Sequence, residues 1–318
     1  MERSRGSYIN LYNINRMDST LGIIITGQIR TFFSKGGANE LLKVINKSKS
    51  VYSRIVLIMV ISGDYKSYLL SELFKNISDL YILIINYNEY EDHMLEYVEK
   101  LKNNSSFIKI CQAYLNSSNY AKKEISDPSV YIIGVMRQLY QVRIGIDSIN
   151  QYERNNKIKF NVIMKTRFDI AYPEDFYPHI PGGSLIDKIS FNGMGISFNT
   201  HNIEEYIIWL KQQQIILPNC RVSCDFSKSF GGAYMYNYQS LENISKGDDN
   251  ILYCFNDHFF FSKREVFVKL YDFINIYGTV YNNNIQHTFA AEAQLLIACF
   301  HVNISPLMFL PNTYSIIR

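Results

Sequence analysis

The apolar positions of the first hundred residues come in short unbroken runs, each followed by a stretch with helical spacing. Residues 21–26 read LGIIIT, residues 54–61 read RIVLIMVI and residues 80–85 read LYILII. Unbroken apolar runs of this length predict strands buried on both faces, as in a parallel sheet. Helices are expected near 39–46, 67–75 and 92–102, which gives the order β-α-β-α-β-α. That alternation predicts a parallel, doubly wound α/β sheet with right-handed crossovers.

The stretch 131–173 continues the pattern and organises the chain. Ile132, Val135, Leu139, Val142, Ile146 and Ile149 recur at steps of three and four, which marks one face of a helix. Asp127 and Pro128 suit an N-cap and a first turn. The polar run at 155–157 ends the helix. A buried strand over 160–164 follows and stops at Lys165, Arg167 and Asp169. In open α/β sheets ligands bind outside the carboxyl ends of strands, so this strand end is the first place to look for chemistry.

After Pro173 the pattern changes. Pro173, Pro178, Pro181 and Gly182-Gly183 mark a loop. Short strands are expected near 188–192 and 195–198, a helix over 203–214, and a turn with a short strand over 231–236. Residues 254–261 (CFNDHFFF) read as one strand. Ser262 and Glu265 read as a capping box opening a helix to about residue 277. A helix over 289–300 carries Glu292. The expected organisation is a polar, poorly ordered segment 1–19 and a single domain over 20–318. Its front, 20–173, is Rossmann-like, and its back, 174–318, is a smaller mixed sheet.

Composition narrows the function classes. The chain has 318 residues, 47% hydrophobic and 19% charged, with a formal charge of +3. A near-neutral balance gives no general attraction to nucleic acid or to a membrane surface. The longest apolar run is too short to span a bilayer, so no transmembrane segment is expected and any membrane contact is peripheral. No apolar leader is visible at the N-terminus. The five cysteines, Cys111, Cys220, Cys224, Cys254 and Cys299, are odd in number and scattered. That predicts reduced thiols in a cytoplasmic protein.

Neither GxGxxG nor the Walker A pattern occurs, and there is no GxSxG elbow. Arg167 and Asp169 stand two apart at a strand end, and residues i and i+2 of a strand point the same way. A guanidinium there can hold phosphate oxygens, and a carboxylate can hold a divalent ion. The plainer alternative is an ion pair at the end of the sheet. Gly27, Gln28 and Arg30 follow the first strand, while Ser62 and Asn86 end the next two. Each is a candidate for nucleotide contact or ordinary loop polarity.

Three blocks carry a family resemblance: TGQIRTF at 26–32; Arg137-Gln138, a helix and then VIMKTRFD at 162–169; and NDHFFFSKRE at 256–265. Together they resemble the WavE-like lipopolysaccharide-synthesis family and, more widely, sugar transferases of the GT-A type. The resemblance implies a glycosyltransferase that moves a sugar from a nucleotide-sugar donor to a saccharide or glycan acceptor. It implies a nucleotide-binding half over 20–173 and an acceptor half over 174–318. Thr26, Gly27, Gln28, Arg30, Ser62, Asn86, Arg137, Lys165, Arg167 and Asp169 would serve the donor. Asp169 would be the ligand for Mn2+ or Mg2+. The usual Asp-x-Asp motif has Arg167 in its first position here, which points to weak, donor-dependent metal binding. Asp257, or Glu292 in its otherwise apolar helix, would take the acceptor's proton. The alternatives are an inactive sugar- or nucleotide-binding module of the same fold, or a sugar nucleotidyltransferase.

Overall fold

Ile23, Ile24 and Ile25 are all fully buried, which a strand achieves only when both its faces are covered. The computed structural model describes residues 19–29, 32–63, 67–77, 79–116, 128–172, 176–178, 249–255, 258–280, 291–308 and 315–316. Among these, the main sheet is built from β1 (Thr20–Gln28), β2 (Arg54–Ser62), β3 (Leu80–Asn86), β4 (Val162–Arg167), β6 (Ile251–Phe255), β7 (Phe259–Lys263) and β8 (Ser305–Met308). Their order is β3-β2-β1-β4-β7-β6-β8. A separate pair joins β5 (Ile170–Ala171) to β9 (Ser315–Ile316).

Strands β1 to β4 run parallel. Strand β7 lies antiparallel to both β4 and β6, and β6 runs parallel to β8. The sheet is therefore mostly parallel in front and mixed behind, as the pattern of runs led us to expect. Strands from both halves of the chain share it.

Helices cover both faces. On one face, α1 (Gly37–Ser48) and α2 (Ser67–Phe74) bury Leu41, Val44, Leu70 and Phe74 against Ile23, Ile25, Leu57 and Met59. On the other, α3 (Glu91–Leu101), α4 (Ser105–Leu115) and α5 (Pro128–Asn156) pack on Ile24, Ile58 and Ile163. Each fully buried Ile or Leu contributes about 1.5–3 kcal/mol by leaving water. The face change follows from the topology. From β1 to β3 the chain steps one way along the sheet, and from β3 to β4 it steps back past β1. With crossovers of one hand, reversing direction moves the helices to the opposite face. The reversal makes the β1–β4 boundary a topological switch point.

The back half departs from expectation at three places. In place of the one strand expected over 254–261, β6 and β7 are two strands that pair antiparallel, Tyr253 with Phe261 and Phe255 with Phe259. Ser262 is a fully buried residue of β7, and no side chain caps the helix α6 (Arg264–Phe267) that follows. A 3-10 stretch over Val268–Asp272 then leads directly into α7 (Phe273–Ile276), so the expected helix is present as one helical stretch whose middle is wound as 3-10. Helix α8 (Ala291–His301) matches the expected one over 289–300 closely. The expected elements at 188–192, 195–198, 203–214 and 231–236 lie outside the described residues. Among the described residues, no helix is long and apolar enough to cross a membrane.

Candidate functional site

The parallel register lines up the carboxyl ends of the strands. Thr26 of β1 stands opposite Arg167 of β4, Gln28 stands opposite Ser62 of β2, and Ile61 stands opposite Asn86 of β3. A row of polar strand ends therefore runs from Asn86 through Ser62 and Gln28 to Arg167. The switch point falls within it, between Thr26 and Arg167.

Thr26 is buried, and its hydroxyl donates to the Thr166 carbonyl at 3.5 Å. Gly27 follows with φ 114°, a left-handed conformation that glycine adopts without strain. It lies near the end of β1, and the next residue, Gln28, is exposed while still paired with Ser62. Asn86 is spent on its own turn, accepting from the Asn88 N–H at 3.2 Å and donating to Glu89 at 3.3 Å.

Arg167 and Asp169 face each other. Arg167 donates from Nε to Oδ1 at 2.8 Å and from Nη2 to Oδ2 at 2.7 Å. Both side chains keep some contact with water, at 27% and 17% exposure. The segment that carries Asp169 is braced against α1. Phe168 meets Phe32 edge to face at 5.2 Å. The Tyr172 N–H donates to Glu40 at 3.3 Å, and the Tyr172 hydroxyl bonds that of Thr166 at 2.7 Å. Burial pushes the Tyr172 phenol well above its usual range, with the Thr166 bond working against the shift. Gly37, at the start of α1, has its Cα so close to the Phe168 carbonyl that an added Cβ would sit 2.3 Å from that oxygen. No side chain fits there, so glycine sets the approach of α1 to the strand end.

Two expected donor contacts are already engaged by protein groups. Lys165 is 2% exposed and lies beneath α5. Its ammonium donates to the His258 carbonyl at 3.2 Å and sits 5.5 Å from the Phe260 ring centre. It adjoins a cavity of about 20 Å³ lined by Val135, Leu139, Val142 and Leu295. Arg137 donates to Glu91 of α3 from Nε at 2.7 Å, so its charge is already compensated. Glu91 was not singled out by the sequence, because an acid in the first turn of a helix reads as ordinary capping. Arg30 and Asp257 lie outside the described residues, and Glu292 is on α8.

Among the described residues, no three His, Cys, Asp or Glu side chains gather as a metal-ligand set. A divalent ion at the switch point would have Asp169 as its acid, and both oxygens of Asp169 are engaged by Arg167. No protein-family model, curated protein or solved structure matches the chain.

Proposed function

We propose that the chain is a glycosyltransferase of the GT-A kind, similar to the WavE-like family, and that it transfers a sugar from a nucleoside diphosphate to a saccharide or glycan acceptor. The observation that carries this reading is the polar strand-end row that reaches the β1–β4 switch point, with the Arg167 fork at its β4 end. Doubly wound sheets accept nucleotides at such crevices.

The Arg167 guanidinium already holds an oxyanion through two parallel contacts. A diphosphate offers the same two-oxygen edge with more charge, so it can displace Asp169 from the fork. In the transfer step, an acceptor hydroxyl oxygen forms a bond to the anomeric carbon. The bond from that carbon to the diphosphate breaks, and its electron pair leaves with the diphosphate. Arg167 stabilises the charge that develops there. The hydroxyl proton passes to a carboxylate, Asp257 or Glu292. The chain's own residues suit charge stabilisation by Arg167 better than a tightly held ion, since Asp169 is paired. Mn2+ or Mg2+, if used, arrives with the diphosphate.

The closed Arg167–Asp169 pair also favours a second reading, a binding module that keeps the fold and has lost turnover. A thermal-shift panel of nucleoside diphosphates, with and without manganese, tests the nucleotide site. A bound nucleotide at a hundred times its Kd stabilises the fold by about 2.7 kcal/mol. Release of free sugar or transfer to acceptor from the matching nucleotide-sugar then separates enzyme from module. A panel in which no nucleotide raises the melting temperature contradicts both readings.

A further inference from the structure

The two edges of the main sheet are built differently. Strand β8 is short, and Pro306 removes one backbone N–H from it. Ser305 and Pro306 are also buried. Such features blunt an edge against further pairing. Strand β3, at the other edge among the described residues, has none of them. It is seven residues long (LYILIIN), with no proline and no charge.

Its side chains are exposed on both faces of the sheet. Tyr81 is 45% exposed, Ile82 36% and Leu83 38%. Tyr81 lies towards α5, since its ring meets that of Tyr152, and side chains alternate along a strand, so Ile82 lies on the opposite face. Among the described residues, the helix layers leave Tyr81, Ile82 and Leu83 partly exposed. Leu69 of α2, the helix that leads into β3, is also 36% exposed. The outward N–H and C=O groups of β3 therefore stand between two apolar fringes. A strand flanked by apolar side chains above and below matches such an edge, and this sheet presents one.

We propose that β3 is a dimerisation edge, on which a second copy of this chain adds its own β3 antiparallel to form a continuous sheet across a two-fold axis. The strand is self-complementary in that arrangement. With Leu83 at the axis, Ile82 stands opposite Ile84 of the second copy, and Tyr81 stands opposite Ile85. Every pair from 81 to 85 is apolar on both faces, and no like charges meet along the strand. The exposed Glu89, beyond one end of β3, is brought towards the end of the other copy that carries Arg54 and Asp79 side by side. Arg54 is held there over the Tyr81 ring at 5.4 Å. An isologous contact of this kind closes on itself and yields a dimer rather than a filament.

Sedimentation velocity of the full chain over a dilution series tests this. The wild type should sediment as a dimer that dissociates on dilution. Leu83→Lys sets two ammonium groups against each other at the axis, and Ile82→Lys charges the opposite face. Each should give a monomer with an unchanged far-ultraviolet circular dichroism spectrum. A wild type that is monomeric throughout the series overturns the proposal, and so does a folded lysine variant that remains dimeric.

Discussion

Arg167 and Asp169 hold each other through two parallel contacts of 2.8 and 2.7 Å at the end of the strand that pairs with β1. The pair occupies the guanidinium fork, which makes Asp169 a competitor for any anion that enters. The two residues therefore have opposite effects on nucleotide affinity.

Replacing Asp169 by alanine should leave the fold intact, because its two carboxylate contacts are to Arg167 at the strand end and removing them leaves the guanidinium within reach of water. It should release the fork, so calorimetry should find a nucleoside diphosphate bound more tightly than by the wild type. Turnover should fall, since Asp169 is the acid left in the strand-end motif. Normal turnover in Asp169→Ala would remove this residue from the mechanism.

The Arg167→Asp variant places acids at 167 and 169, positions whose side chains meet in the wild type. Two carboxylates with diphosphate oxygens make an oxygen-rich site for manganese. Electron paramagnetic resonance should show nucleotide-dependent manganese binding by the variant at concentrations where the wild type shows less. Equal binding by the two proteins would mean that position 167 does not control the ion.

Glu153 contributes to the acid limb of stability. Burial alone would raise its carboxyl. Hydrogen bonds from Arg264, the Phe160 N–H and Lys159 outweigh burial and hold it below its ordinary value of 4.5. A depressed folded value means that the stabilisation is present above pH 4.5 and is lost as the pH falls through the folded value. Arg264 donates at 2.8 Å from Nη2 and 3.1 Å from Nε, and the Phe160 N–H donates at 3.0 Å. These contacts tie the end of α5 to the start of α6. Glu153→Gln should cost about 2–3 kcal/mol at neutral pH. Its stability should also decline less steeply in acid. Parallel acid limbs in urea titrations would contradict this account.

Cys254 and Cys299 are fully buried, and burial pushes both thiols up, away from the reactive thiolate. Ellman titration of the native, unreduced chain should leave these two unmodified. Denaturant should then expose five thiols in all, as expected for a protein without disulfides. Fewer than five would show that a bridge had formed.

The front of the fold was legible because its strands are buried on both faces. Such strands read as unbroken apolar runs, and the expected 54–61 became Arg54–Ser62. The strand expected over 160–164 lies at Val162–Arg167, because Lys165 and Arg167 stay in the ladder despite their charge. Lys165 shows why charge misleads here. Its polar end finds the His258 carbonyl while its stem lies among apolar side chains, and no local pattern reveals that partner 93 residues away. Helix α4 was missed, although Asn104 caps it by accepting from the Ser106 and Phe107 N–H groups. The β6–β7 reversal had a visible signal in Asn256-Asp257, two turn-forming residues between apolar runs. At the site, the sequence placed Arg167 and Asp169 on one side of the strand, and the structure brings them into contact. The pairing of Arg137 with Glu91 joins α5 to α3, a contact that depends on the reversal of winding.

The central claim is that the β1–β4 switch point binds a nucleoside diphosphate through Arg167. Isothermal calorimetry of wild type and Arg167→Ala with UDP, GDP, CDP and dTDP tests it most directly. At least one of these should bind the wild type. Its affinity for Arg167→Ala should fall by about 10²-fold, the scale for losing one charged donor to an oxyanion. Binding that is undiminished in Arg167→Ala, or absent from the wild type for all four nucleotides, would contradict the claim.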